Sequence, residues 1–170
     1  MANKNDLRYI KTEKLIEETY IALKMKSKSP VKVSALCEAA LINKTTFYTH
    51  YETMEALHEH MCRKEIEMML VDCPHVDEAF SNTEAFVRAV VKKIQENAST
   101  ANVLFGGDTT RQTSVFEKCL LQRYLHGAES QEAELKIIFA IGGAARLLIG
   151  DQSQERIKVT IELIGRIFEE

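Results

Sequence analysis

Only two prolines, Pro30 and Pro74, interrupt the chain, and all seven glycines lie at or after residue 106. A protein of strands and tight hairpins needs more such punctuation, because its turns demand residues with special backbone angles. Apolar residues instead recur at spacings of three and four, which predicts an all-α fold with short connections. With 45% hydrophobic and 28% charged residues the 170-residue chain has the balance of a soluble globular protein, large enough for a core without disulfide or metal staples. No apolar run reaches the length of a membrane span, so no membrane partner is expected. The first residues lack the apolar centre of a leader peptide. Cys37, Cys62, Cys73 and Cys119 are dispersed and suggest a reducing, cytoplasmic setting.

Charge is divided unevenly. Residues 1–51 carry a net +4 and residues 52–170 a net −7. A basic head on an acidic body points to a polyanionic partner for the head, although small domains often differ by a few charges.

A first helix is predicted over 8–26, with Ile10, Leu15, Ile16, Thr19, Tyr20 and Leu23 on one face. Lys24, Lys26 and Lys28 suit its C-terminal dipole, and Ser29-Pro30 ends it. Residues 33–40 form a short second helix, 41–43 a tight connection with Asn43 as cap, and 44–50 an equally short third helix. Two short helices joined so closely match the helix-turn-helix pattern. Thr53 caps a fourth helix that ends before Pro74, and further helices are predicted over 83–98, 113–126, 132–149 and 154–169. Residues 101–108, with Gly106-Gly107, are expected to be a loop or short turn. Gly127 and Gly150 mark the ends of two of the helices.

The run Lys44-Thr45-Thr46-Phe47-Tyr48-Thr49-His50-Tyr51 divides its labour. Phe47 and Tyr51, four apart, share a face that should pack inward. Lys44, Thr45, Thr46, Tyr48, Thr49 and His50 are all hydrogen-bond donors and none is acidic, which suits a phosphate-lined groove. The major groove of a duplex admits one helix of this width, and the first residues of such a helix reach base edges. Lys44, Thr45 and Thr46 are therefore the base-edge candidates. Tyr48 and His50 suit phosphate oxygens, as do Lys32 and Ser34 near the start of the second helix. The same Thr-Thr-Phe-Tyr stretch also has strand propensity and could be an edge strand.

The elements Cys37-Glu38-Ala39-Ala40, Thr46-Phe47-Tyr48-Thr49-His50-Tyr51 and Glu55-Ala56-Leu57 follow one another in the order and phase of a known pattern. Over residues 8 to 60 the chain resembles the DNA-binding domain of the TetR family of bacterial transcription regulators. The resemblance implies an N-terminal helix-turn-helix domain (1–53) and a C-terminal helical effector-binding and dimerisation domain (54–170). It also implies a homodimer that binds a palindromic operator in double-stranded DNA and represses transcription until an effector releases it. Two positions depart from the family pattern. Leu41 stands where the turn usually has Gly, and a left-handed backbone there would cost Leu roughly 1–2 kcal/mol. Met54 stands where many relatives carry a Lys, which shifts the phosphate grip toward Lys44 and Lys32.

For a dimer, the resemblance points to the last two helices, with Phe139, Gly142, Gly143, Arg146, Ile157, Ile161, Ile164 and Phe168 as interface candidates; filling of the monomer core is the competing use of these residues. A small-molecule effector would lie among the middle helices, against Met61, Met69, Phe86, Val90, Phe105, Phe116, Leu120 and Tyr124, a lining that equally describes plain core. No cofactor is expected. His58 and Cys62 have a chelating spacing, but zinc motifs need tighter paired ligands, so no metal site is assigned. The sequence has no Gly-rich phosphate loop and no Gly-x-Ser-x-Gly elbow, so no enzyme is expected. Two other readings remain open: a protein-interaction module or co-activator of the same fold, and a small helical enzyme or metal sensor.

Overall fold

A computed structural model describes residues 6–27 and 29–168. Lys28, Glu169 and the first five residues, on which parts of the sequence reading rest, lie outside the described residues. Among the described residues the protein is all-α: nine α-helices, two short 3-10 turns and no strand. The helices are α1 (Leu7–Lys26), α2 (Val33–Ala39), α3 (Lys44–His50), α4 (Met54–Val71), α5 (Thr83–Glu96), α6 (Ala98–Phe105), α7 (Thr109–Tyr124), α8 (Gln131–Leu148) and α9 (Gln154–Phe168). The chain forms two compact units, Met1–Cys62 and Arg63–Glu170, divided inside α4.

Short polar side chains set most helix starts by accepting from otherwise orphaned N–H groups. Asp6 accepts from Arg8 N–H, Asn43 from Thr46 N–H, Thr53 from Ala56 N–H, Asp108 from Arg111 N–H and Ser130 from Ala133 N–H. The Asp108 cap starts α7 at Thr109, four residues ahead of the expected Thr113. The segment expected to be a loop over 101–108 is largely helical. Leu104 and Phe105 are buried, and this burial outweighs the poor helix propensity of the Ser, Thr and Asn before them. The connection is confined to residues 106–108, of which Gly106 and Gly107 have positive φ. α8 ends at Leu148, one residue earlier than expected, with Ile149 already extended and Gly150, at φ +90°, following it, whereas Gly127 lies in a 3-10 turn without a left-handed backbone.

In the first unit, Ile16, Leu36, Phe47 and Leu57 have no exposed surface and join α1, α2, α3 and the start of α4 around one core. Truncating a residue such as Phe47 would cost about 3–5 kcal/mol. The buried stripe of α1 differs from the purely apolar face read from the sequence. It runs from half-buried Tyr9 and Glu13 to buried Ile16, Glu17 and Tyr20, while Ile10 and Leu15 are exposed. Glu17 is accommodated because the Tyr51 hydroxyl, at 3.4 Å, and His60 Nε2, at 2.9 Å, reach its carboxylate.

In the second unit, α8 packs against α7 and α9, and α9 against α5. Val87, Val91, Ala140, Leu148, Ile157 and Ile164 make its central cluster. Ile161 and Phe168 pack on that cluster, and the Phe168 ring stacks on Phe80 at 4.4 Å between centroids. Gly142 faces α7, where a Cβ would lie 3.3 Å from Glu117 Oε1, the movable end of a flexible side chain. Among the described residues, no helix is long and apolar enough to cross a membrane.

Candidate nucleic-acid interface

The connection between α2 and α3 is a helix stop of defined geometry. Ile42 N–H donates to the Cys37 carbonyl at 3.0 Å, and Leu41 N–H donates to the Glu38 carbonyl at 3.3 Å. These are the two bonds of a Schellman motif, which requires a left-handed residue at the position of Leu41. Leu41 adopts φ +54°, so the strain anticipated for a Leu in this turn is present. Asn43 then opens α3, its Oδ1 accepting from both Thr46 N–H, at 2.7 Å, and Thr46 Oγ1, at 2.9 Å.

The helix is anchored from behind. Phe47 is fully buried, and Tyr51, which closes α3, is buried next to it. Burial and the Glu17 carboxylate push the Tyr51 hydroxyl far above the ordinary tyrosine range, so it stays a neutral donor. On the outer side Lys44, Thr45, Tyr48 and Thr49 are exposed, and no side chain of α3 is acidic. Lys32 and Ser34 are exposed at the start of α2.

Three of the eight side chains selected from the sequence have a narrower role than their chemistry alone suggests. Thr46 is half-buried, and its hydroxyl hydrogen is committed to Asn43. His50 is half-buried rather than fully outward. Its ring lies 3.9 Å from that of Tyr9 on α1, and burial lowers its pKa against the opposing pull of Glu13. The Thr49 hydroxyl donates to the Thr45 carbonyl, leaving its oxygen as an acceptor. Among the described residues, the ammonium and hydroxyl donors left free on the outer face are thus those of Lys44, Thr45 and Tyr48. The sequence reading passed over Tyr9, whose signal is its spacing of seven from Ile16 along the buried stripe of α1.

His58 and Cys62 belong to a different arrangement. The Tyr20 hydroxyl lies 2.8 Å from His58 Nδ1, and Cys62 Sγ lies 3.7 Å from His58 Nε2. Among the described residues, no group of three or more His, Cys, Asp or Glu could hold a metal ion.

The second unit contains an apolar cavity of about 30 Å³. Phe86, Val90, Phe116, Leu120 and Tyr124 line it as the sequence reading proposed, but Met61, Met69 and Phe105 do not. Met69 and Phe105 are ordinary core, and Met61 belongs to the first unit, beside Ile21 and Met25. The Tyr124 hydroxyl donates to the Val76 carbonyl, and burial pushes it up to about 12.

Of the dimer candidates, Phe139, Gly143 and Arg146 are exposed on α8. Ile157, Ile161, Ile164 and Phe168 are used by the core of their own unit, because that stripe of α9 faces α5 and α8, and Gly142 faces the Glu117 side chain of α7. The exposed apolar residues of α9 are Val159 and Leu163. Phe139, Gly143, Leu147 and Leu163 line one open groove between α8 and α9.

No family model, curated protein or solved structure matches this chain in the three comparisons made.

Proposed function

We propose that the chain is a TetR-type, DNA-binding transcriptional regulator, working in the cytoplasm as a homodimeric repressor on a palindromic operator. In this reading α2 and α3 are a helix-turn-helix, and α3 enters the major groove. The observation that carries it is the two-sided build of α3: Phe47 and Tyr51 buried behind, and an exposed, acid-free face of Lys44, Thr45 and Tyr48 in front. Lys44, in the first turn, reads base edges, and Tyr48 and His50, with Lys32 and Ser34 on α2, hold phosphates.

The open α8–α9 groove supports pairing of two copies through Phe139 and Leu163, which would present two copies of α3 to two half-sites. A small-molecule effector is part of this proposal, on a condition. Pockets that enclose such ligands measure roughly 300–1,000 Å³. The cavity between α5, α7 and α8 must therefore widen before it admits one.

The test is selection of duplexes from a randomised pool, followed by binding of the selected sequence across a salt series. A regulator of this kind enriches a two-fold symmetric sequence and loses affinity steeply with salt, as counterions are no longer released to advantage. Absence of duplex binding even at low salt would sink the proposal and leave an interaction module of the same fold.

A further inference from the structure

We infer that His50 acts as a neutral imidazole with its hydrogen on Nε2, and that Tyr9 of α1 is the positioning residue that holds it in this form. The inference rests on the DNA-binding reading for what His50 touches, but not for the state of the ring.

His50 Nδ1 is buried and has no hydrogen-bond partner among the described residues. The Tyr9 ring covers the imidazole at 3.9 Å between centroids, with 32° between the planes. A charged imidazole carries a hydrogen on both nitrogens. Charging His50 would therefore create a buried N–H with no acceptor, and would also desolvate the charge. The neutral ring with hydrogen on Nε2 leaves only a lone pair at the buried atom. The groups that face the ring are Tyr9 and Glu13 on α1 and its neighbour Tyr51. Of these, only Glu13 favours the cation, and burial outweighs it. Nε2 remains as the ring's outward donor, aimed by the stacking rather than by a hydrogen bond at Nδ1, which is how a histidine is more often oriented.

A neutral donor at a phosphate differs from a cation in a measurable way. Each phosphate neutralised by a cation steepens the dependence of log K on log salt by about 0.9, and a neutral donor adds nothing to it. The residue therefore contributes direction to the grip and no charge, so that binding is insensitive to pH around neutrality.

The first arm of the test is nitrogen-15 NMR of the imidazoles in the full chain without DNA, between pH 5 and 8. The expected result is a hydrogen on Nε2, a bare Nδ1 and a titration midpoint below the ordinary value of about 6.5. Tyr9→Phe should keep this pattern, and Tyr9→Ala should raise the midpoint toward that of a free imidazole. A hydrogen on Nδ1, or a wild-type midpoint at or above about 6.5, would overturn the inference. A midpoint unmoved in both folded variants would overturn the role of Tyr9. The second arm is affinity for a selected duplex. His50→Ala should bind about tenfold more weakly at pH 8 and at pH 7 alike, with the salt slope unchanged. Wild-type affinity that rises tenfold on acidification, and does so only with His50 present, would overturn the neutral form. If no duplex binds at any salt concentration, the DNA reading fails while the NMR arm still decides the state of the ring.

Discussion

Replacing Leu41 by Gly should make the first unit more stable, although it removes a large apolar side chain. Leu41 holds φ +54° at the left-handed position of the Schellman turn, and its side chain is 93% exposed. The left-handed backbone costs a residue with a β-carbon roughly 1–2 kcal/mol. Glycine avoids that cost but returns about 0.4–1 kcal/mol through the greater freedom of the unfolded chain. The exposed side chain contributes almost no burial, so the net gain should be about 0.5–1 kcal/mol. With a urea slope of about 1–3 kcal/mol per molar, the midpoint should rise by roughly 0.2–1 M at constant slope. Tyrosine fluorescence suits the measurement. The chain has no Trp, and four of its five tyrosines, Tyr9, Tyr20, Tyr48 and Tyr51, lie in the first unit. Leu41→Ala is the control, since it removes the same exposed surface and keeps the β-carbon. A gain in Leu41→Ala equal to that in Leu41→Gly would refute the backbone argument, as would destabilisation by Gly.

Four further outcomes follow from the same structure. Asn43→Ala removes both acceptor contacts to Thr46 and should cost the first unit about 1 kcal/mol in the same urea titration, with Asn43→Asp restoring it. Lys44→Ala should weaken binding to a selected operator by about 1–3 kcal/mol and relax preference at one base position if the contact is bidentate; an unchanged footprint and affinity would remove Lys44 from the reading role. Phe139→Glu, at a side chain 73% exposed, should abolish pairing in sedimentation equilibrium while leaving the helical signal intact, and a dimer that persists would move the interface elsewhere. Tyr124 is raised to about 12 by burial, above the unfolded value of about 10, so the folded state holds its proton longer. Its contribution is fully present below pH 10 and is lost as pH rises through 12; Tyr124→Phe should therefore flatten the alkaline arm of a stability–pH curve read by circular dichroism.

Several features needed only the sequence. Sparse proline and late glycine fixed a helical chain, and Asn43 and Thr53 announced the starts of α3 and α4, because capping is a contact between near neighbours. The inward phase of Phe47 and Tyr51 was equally plain, since it depends on helical spacing alone. The strain at Leu41 was visible as a conditional, and the φ angle turned it into a fact. Long-range packing decided the rest. Burial of Leu104 and Phe105 made a helix of a segment whose local chemistry suggests a turn. Glu17 lies inside the first unit because Tyr51 and His60, distant in sequence, supply its hydrogen bonds. The isoleucine stripe of α9 reads the same whether it meets another subunit or its own α5 and α8, and the fold assigns it to the latter. Helical period and capping act over a few residues and are written into the chain, whereas what a face is pressed against depends on partners that no local pattern specifies.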